Sequence, residues 1–283
     1  TDLTLSEIYA ARRRIAGIAT RTPLLRSDPL SDCCGADIYL KLENVQQTGS
    51  FKLRGAANRM LSLSDKERAR GVIAVSSGNH GRAVAAVAAQ AGIRAVICLA
   101  ETVARNKVEA IRRTGAEVVL AGQSYDEAAA RAVKLQRAQG LTLIHPFDDP
   151  YVIAGQGTIG IELLEDLPDL DTAIVPLSGG GLISGVALAL KAANPAAQVI
   201  GVSMERAPVM AESLRAGRLL ELSEEPTLAD ALVGGIAGLD GLHNAHTFRL
   251  CQQLVDQTAL VSEEEIAEAM AFMLEAHHLV VEG

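Results

Sequence analysis

Lys52 occupies an unusual position for a cation. In the stretch TGSFKLRGA, residues 48–56, it follows a Gly-Ser pair and lies in the first turn of a helix that we expect Ser50 to cap. Open helix N–H groups and the nearby Arg54 both disfavour an ammonium, so we expect the pKa of Lys52 to be lowered. A partly neutral lysine is a nucleophile and a proton carrier that can form a Schiff base with an aldehyde. The alternative is an ordinary solvated lysine on a surface helix.

A second stretch, SSGNHG at residues 76–81, joins a predicted buried strand to a helix. Hydroxyls, an amide and backbone N–H groups at a helix N-terminus suit a carboxylate ligand. The Asn79 amide could also bind a ring hydroxyl, whereas the alternative is a well-capped turn with an exposed His80. The candidate carboxylate ligands are Ser76, Ser77, Gly78, Asn79 and His80.

A third stretch, VPLSGGGLISG at residues 175–185, repeats the order of strand, glycine turn and helix. Three successive glycines let backbone N–H groups converge on an anion, with a helix dipole behind them. The stretch lacks the Lys-Ser/Thr pair of a Walker loop and the G-x-G-x-x-G spacing of a dinucleotide site. No acidic residue ends the following strand, where Ser203 stands, so a single phosphate monoester fits best.

Composition excludes several classes of function. The 283 residues carry a net charge of −8, which disfavours a surface for nucleic acid or anionic membranes. No apolar run reaches the roughly 18 residues of a spanning helix. Cys33, Cys34, Cys98 and Cys251 show no C-x-x-C spacing, so we expect reduced thiols and a cytoplasmic protein.

The elements that must position these residues alternate between β-branched runs and helical patterns, which predicts βαβ units and parallel sheets. The predicted fold class is α/β, with two open parallel-sheet domains and a cleft between them, where ligands are favoured. Residues 1–65 and 150–283 would form a large cofactor-binding domain, and residues 66–149 a small mobile one. Predicted strands cover 71–77, 94–100, 116–122 and 141–145, and predicted helices cover 78–92, 103–115 and 124–140.

An aldehyde-reactive lysine, a carboxylate cradle and a monophosphate cradle together match pyridoxal 5′-phosphate (PLP) with an amino-acid substrate. The motifs TGSFKLRGA, SSGNHG, VIAGQGTIGIE and LSGGGLISG resemble those of the threonine/serine dehydratase and serine racemase group. That group belongs to the fold-type II, or tryptophan synthase β, superfamily of PLP enzymes. The resemblance runs from Thr22 to Gly283. The stretch VIGVSMERAPVM resembles, more faintly, hydroxyectoine-utilisation dehydratases.

The resemblance implies roles for individual residues. Lys52 would be the Schiff-base lysine, Phe51 would pack beside the pyridine ring, and Asn79 would bind the 3′ oxygen of the ring. The substrate carboxylate would bind to residues 76–80, where Ser77 is a candidate second acid/base. The phosphate would be held by Ser178, Gly179, Gly180, Gly181 and Leu182.

Two departures from the family pattern limit what the resemblance implies. Ser203 stands where many members have a Glu that binds a divalent cation, with Glu205 two residues later, so no metal site is predicted. The Ser or Thr that contacts the pyridine nitrogen in the family has no counterpart in this chain. The terminal LVVEG, residues 279–283, is typical of the start of a strand, so we expect the natural fold to continue beyond Gly283.

The predicted reaction is β-elimination, which converts threonine or serine to a 2-oxo acid and ammonia. A racemase or a β-replacement enzyme of the same fold is an alternative. His80 favours the dehydratase and racemase side, because β-replacement enzymes have Thr at that position. A PLP-binding module without catalysis is a further alternative. The sequence leaves open which amino acid is used, with a side-chain pocket expected partly in 234–246, and the resemblance implies a homodimer.

Overall fold

The structure is a computed structural model that describes residues 3–234, 236 and 245–283. Its N-terminal part combines helices with one short antiparallel strand pair. The first helix begins with a capping box, in which the Thr4 N–H donates to the Glu7 carboxylate. The elements are α1 (Leu5–Ile15), β1 (Leu24–Arg26), α2 (Asp28–Cys34), β2 (Tyr39–Lys41), a 3-10 turn (Glu43–Val45), α3 (Lys52–Leu61) and α4 (Asp65–Arg70).

The middle of the chain forms a four-stranded parallel sheet, ordered β5-β4-β3-β6. Every residue of β3 and β4 is buried, as expected for strands covered on both faces. Left-handed Gly92 and Gly140 end two of the helices as predicted. The elements are β3 (Val72–Val75), α5 (Asn79–Ala91), β4 (Ala95–Leu99), α6 (Arg105–Arg112), β5 (Glu117–Leu120), α7 (Tyr125–Gln139) and β6 (Thr142–Leu143).

The remaining described residues build a three-stranded parallel sheet, ordered β7-β8-β9. Burial alternates along β7, so one of its faces packs on the core and the other stays open. The elements are α8 (Pro150–Asp166), β7 (Thr172–Pro176), α9 (Gly181–Ala193), β8 (Gln198–Met204), α10 (Val209–Ala216), α11 (Ala245–Leu254), β9 (Gln257–Val261) and α12 (Glu263–His277).

Helix α3 links the two parallel sheets, because it packs against α5 on one side and α8 on the other. Leu53, Ala56 and Met60 of α3 belong to the core that covers the four-stranded sheet. Toward α8 the two backbones almost touch, since a Cβ added at Gly155 would lie 2.5 Å from the Arg54 carbonyl oxygen. The helix that carries Lys52 is therefore fixed by packing on both sides.

Several predicted elements differ from those observed. Strands β1 and β2 form a separate antiparallel pair that belongs to neither parallel sheet. The predicted strand 141–145 has only two residues, and residues 279–283 form no strand. Each parallel sheet lies within one predicted domain, although the domain division itself stays a prediction. Within the described residues, no helix is both long and apolar enough to cross a bilayer. Most of the predicted side-chain pocket, 234–246, lies outside the described residues.

Candidate active site

A cavity of about 870 Å³ is lined by residues from the carboxyl-end turns of both parallel sheets and from the start of α3. Such edges are where open α/β sheets bind ligands. The cavity brings together eight residues that the sequence analysis singled out. They are Phe51, Lys52, Asn79, Ser178, Gly179, Gly180, Gly181 and Leu182.

The start of α3 places Lys52 in this cavity. Gly49 takes a positive φ of 78°, which lets the backbone turn tightly just before the helix. The prediction that Ser50 caps the helix is wrong, because α3 begins at Lys52 with Phe51 at the N-cap. The buried Ser50 hydroxyl has no hydrogen-bond partner, and Ser50 is one of the residues that line the cavity.

Burial determines the charge state of Lys52. It lowers the pKa of the Lys52 amine to about 8, against a smaller opposing effect of the Glu282 carboxylate. The amine donates a 2.9 Å hydrogen bond to the Pro146 carbonyl oxygen and lies 5.2 Å from the Phe51 ring centroid. A lowered pKa was predicted, and a substantial neutral fraction near pH 7 to 8 follows from it.

The predicted cause of that shift was wrong in one respect. Arg54 does not act on Lys52, since its guanidinium is buried and pairs with Glu43 and Glu162 on the other side of α3. Burial alone would lower the pKa of Arg54, but hydrogen bonds with the two carboxylates outweigh it and raise that pKa. The low pKa of Lys52 therefore comes from loss of water.

Residues 178–182, which we call the glycine turn, connect β7 to α9. Gly180 is left-handed with φ of 82° and forms the N-cap of α9. A Cβ added at Gly179 would lie 2.5 Å from the Phe147 ring, so this position accepts no side chain. The turn therefore presents backbone N–H groups to the cavity. Ser178 uses its hydroxyl internally, in a 2.7 Å bond to the Leu232 carbonyl oxygen.

Residues 76–80, which we call the asparagine turn, connect β3 to α5 and present a side chain instead. Of this turn, Asn79 lines the cavity, where its amide donates to the Glu282 carboxylate and its carbonyl oxygen accepts from Arg82. Ser76, Ser77, Gly78 and His80 are not among the lining residues. Their roles toward a substrate carboxylate stay predictions.

His80 is buried rather than exposed. Its Nε2 lies 2.8 Å from the Ile144 carbonyl oxygen. Burial lowers the pKa of His80 to about 3, with a smaller contribution from the charge of Lys52. The ring is therefore neutral at physiological pH and joins the asparagine turn to the segment that follows β6.

The helices that start at the cavity share one feature. The N-cap residues of α3, α5 and α9 make no side-chain hydrogen bond to the helix. Away from the cavity both situations occur: Ser124, Asp149 and Ser262 cap α7, α8 and α12 with their side chains, whereas the N-caps of α6 and α10 make no such bond. Three helix N-termini at the cavity thus keep free N–H donors, which is the arrangement that binds anions.

Among the lining residues that sequence reasoning missed are Pro146, Phe147, Gln156 and Glu282. Pro146 and Phe147 follow β6 within HPFDD, at the same sheet edge as the asparagine turn. Their place after a strand was a usable signal, because carboxyl ends of parallel strands meet at one edge. Glu282 and Gln156 carry no such signal.

An amine with a lowered pKa, a backbone cradle for an anion and an amide, all around one cavity, define an α/β enzyme suited to a phosphate-bearing aldehyde. The chain matches, over residues 15–283, the family described as pyridoxal-phosphate dependent enzyme. The protein belongs to this family. The predicted family, fold class and cofactor are thereby confirmed.

Curated relatives resemble the chain over nearly all of its length. It is 46% identical over 281 residues to the L-threonine ammonia-lyase of Thermotoga maritima, covering 99% of this chain and 69% of that protein. It is 41% identical over 280 residues to the catabolic L-threonine dehydratase of Escherichia coli, covering 99% of this chain and 83% of that protein.

Solved structures show the same fold. Maize serine racemase superposes with a TM-score of 0.94 at 36% identity, covering 100% of this chain and 84% of that one. The T.th. threonine deaminase superposes with a TM-score of 0.90 at 40% identity, covering 99% of this chain and 89% of that one.

The residues present fit pyridoxal phosphate. Gly179 and Gly181 of the glycine turn leave no room for a side chain, as a close backbone approach to a phosphate requires. Among the described residues, the buried side-chain atoms without a hydrogen-bond partner are Thr48 Oγ1, Ser50 Oγ, Gln156 Oε1 and Thr247 Oγ1. Ser50 and Gln156 line the cavity, and Thr247 packs against Gly180. Orphaned buried polar atoms are rare, so their concentration here indicates a polar ligand.

A metal site has no support in the part of the chain that the structure describes. No group of three or more His, Cys, Asp or Glu side chains is placed to hold an ion there. Ser203, at the position of the family's cation-binding Glu, is buried at the end of β8 and lines the cavity.

Proposed function

We propose that the protein is a PLP-dependent ammonia-lyase that converts threonine, and also serine, to a 2-oxo acid and ammonia. The observation that carries the proposal is Lys52, whose buried amine has a pKa of about 8 and lies in one cavity with the glycine turn and Asn79. Relatives named for the threonine reaction, at 41% to 46% identity, support the same substrate class.

The residues that would hold the cofactor follow from the cavity lining. The Lys52 amine would bond to the aldehyde carbon, and the N–H groups of the glycine turn would hold the phosphate. Phe51 would pack beside the ring, and the Asn79 amide would bind its 3′ oxygen. When bound, pyridoxal phosphate makes the hydrogen on the substrate α carbon acidic by accepting electrons from that carbon.

The protein side of the reaction is proton movement and orientation. Lys52 Nζ would take the proton from the α carbon once substrate has freed the amine, and the Pro146 carbonyl oxygen orients Nζ. Free N–H groups at the start of α5 would bind the substrate carboxylate. The hydroxyl group would leave the β carbon as water, gaining a proton that balances the one Lys52 Nζ takes from the α carbon, and hydrolysis of the released enamine would give the 2-oxo acid and ammonia.

The first test replaces Lys52 with alanine. We expect Lys52→Ala to lose the visible absorbance of the bound cofactor and all release of 2-oxo acid, because the aldehyde would lose its covalent partner. The matched control is Lys66→Ala, which removes an exposed lysine on α4. Wild-type protein should release 2-oxo acid from threonine and serine; a Lys52→Ala variant that kept absorbance and turnover would show that the lysine is misassigned.

Racemisation is a second candidate, favoured by the similarity to maize serine racemase. Ser77 is the candidate second acid/base for that reaction, and it is half-buried in the asparagine turn. Chiral analysis of the recovered serine beside 2-oxo acid release would separate the two activities. Recovered L-serine free of the D form would restrict the protein to elimination.

The setting of the enzyme is also proposed. Four unpaired cysteines among the described residues, two of them exposed, support a reducing cytoplasm. The family resemblance supports a homodimer, which light scattering of the purified protein would test.

Residues 66–149 are proposed as a small domain that moves over the cavity. An exposed 3.6 Å ion pair from Lys107 to Asp230 is one contact that such a motion would break. Hydrogen exchange with and without serine would report closure.

A further inference from the structure

The start of α3 lacks the usual means of fixing a helix end. Its N-cap makes no side-chain hydrogen bond, and the Ser50 hydroxyl is unpartnered. The amine on which the proposed chemistry depends, Lys52 Nζ, is nevertheless held at the cavity against the Pro146 carbonyl oxygen. Packing on α5 and α8 fixes the body of this helix, so the side-chain contacts around its first turn decide how the amine is oriented.

Arg54, two residues after Lys52, makes contacts of the required strength. It is 1% exposed and binds two carboxylates, each through two hydrogen bonds. Its Nε and Nη2 lie 2.9 and 2.8 Å from the Glu43 oxygens, and its Nη1 and Nη2 lie 2.6 and 2.9 Å from the Glu162 oxygens. These two bidentate arginine–carboxylate pairs, which we call the paired forks, fix the orientation of the Arg54 side chain as well as balancing its charge.

The charged side chains around Arg54 form an ionic cluster with no net charge. Lys41 Nζ lies 2.7 Å from Glu162, so two cations face two carboxylates. Arg54 also donates to the Thr158 hydroxyl at 3.1 Å and to the Thr20 carbonyl oxygen at 3.2 Å. Several separate segments of the chain, among them the 3-10 turn and α8, therefore meet on one guanidinium. Glu43 in addition lines the cavity.

We propose that Arg54 is the positioning residue for Lys52: its paired forks to Glu43 and Glu162 fix the first turn of α3 and keep the lysine amine buried at the cavity. The proposal rests on Lys52 being the reactive amine of the proposed function. A lysine at position 54 would keep the charge and lose the forks, which separates positioning from simple electrostatics.

The test measures the amine itself, without turnover. The full-length chain, freed of cofactor with hydroxylamine, is labelled with acetic anhydride from pH 6 to 10, and peptide mass spectrometry reports the rate at Lys52. If the forks keep the amine buried, Arg54→Lys and Arg54→Met both admit water and raise the midpoint toward the ordinary lysine value. We expect a rise of about one pH unit, which is about a tenfold lower rate at pH 7.

The matched control is Arg59→Met. Arg59 lies near the other end of α3 and joins it to α8 through a 3.1 Å bond to Asp149, so it tests general loosening of the same helix. We expect this variant to melt at a lower temperature with an unchanged Lys52 midpoint. If Arg54→Lys does not fold, Glu162→Gln removes one carboxylate charge and should raise the midpoint in the same direction.

Two results would overturn the proposal. In the first, Arg54→Lys keeps the wild-type midpoint of Lys52 labelling, whether or not Arg54→Met shifts it. Arg54 would then contribute only its charge or its effect on stability, and would not position Lys52. Equal shifts in Arg59→Met and Arg54→Lys would assign the effect to any loosening of α3. Because labelling needs no substrate, either result is readable even if the wild-type protein releases no 2-oxo acid.

Discussion

The glycine turn and the asparagine turn have the same backbone construction, but they present different chemical groups to the cavity. Each connects a parallel strand to a helix whose N-cap makes no side-chain hydrogen bond. The glycine turn lines the cavity with all five of its residues, whereas the asparagine turn lines it with Asn79. In the asparagine turn the polar groups are used internally, since the Ser76 hydroxyl accepts from the Gly78 N–H and His80 lies against Ile144.

The difference shows how one βα unit can be adapted to two ligand groups. Where side chains are removed, the backbone donors of a helix start become the binding surface. Where the turn is internally hydrogen-bonded, one side chain is held in a fixed direction and can recognise a single atom. Phosphate and ring oxygen would call for these two kinds of surface.

The largest difference expected between the two turns comes from adding a side chain to the glycine turn. In Gly179→Ala, the new methyl group would lie 2.5 Å from the Phe147 ring, which must move. Overpacking costs about 1–3 kcal/mol, so cofactor affinity should fall about 5- to 150-fold in an absorbance titration.

The control for that substitution lies in the other turn. A Cβ at Gly78 would meet nothing within 4 Å, so Gly78→Ala should bind the cofactor almost as the wild type does. Equal losses in the two variants would remove the distinction between the turns.

The next effect is the pH dependence of cofactor capture by Lys52, which lies between the turns. A pKa of about 8 lies below the ordinary value of 10.5, so the neutral amine is favoured by burial. The capture rate should rise about tenfold per pH unit below pH 8 and level off above it. Stopped-flow absorbance measures it, and a rise that continued to pH 10 would indicate a solvated lysine.

The smallest expected effect comes from Asn79→Ala. Loss of one hydrogen bond, about 1–1.5 kcal/mol, should lower kcat about five- to tenfold and shift the cofactor spectrum. Asn44→Ala is the matched control, because Asn44 lines the same cavity and donates to the Val280 carbonyl oxygen. If Asn44→Ala shifted the spectrum and Asn79→Ala did not, the proposed contact between the Asn79 amide and the cofactor ring would be contradicted.

Much of the fold was predictable because its signals are local. Buried β-branched runs such as β3 and β4, and helix ends at Gly92 and Gly140, follow from burial and from the left-handed conformation that glycine favours. The pairing of β1 with β2 was missed, because strands of three residues are too short to show an alternation of apolar and polar residues.

The candidate site was predictable where a motif faces the cavity and less so where tertiary contacts decide. The expected Ser50 cap is absent, and helix starts that break a local rule are common at functional sites. The direction of the pKa shift of Lys52 could be inferred from the sequence, but its cause could not. The charge of Arg54, which was expected to contribute, is neutralised by carboxylates 11 positions before it and 108 positions after it. Glu282 reaches Asn79 across 203 positions, which no local pattern reports.

The contact between α3 and α8 sets a limit on how this protein can change. At Gly155 the backbones of the two helices are so close that a single added methyl group would overlap a peptide carbonyl group. Neither helix can therefore shift along the other unless the residues at their contact repack. An engineer who wants a deeper or wider pocket must therefore reshape the walls opposite α3, since the seat of that helix on α8 cannot be moved by small steps.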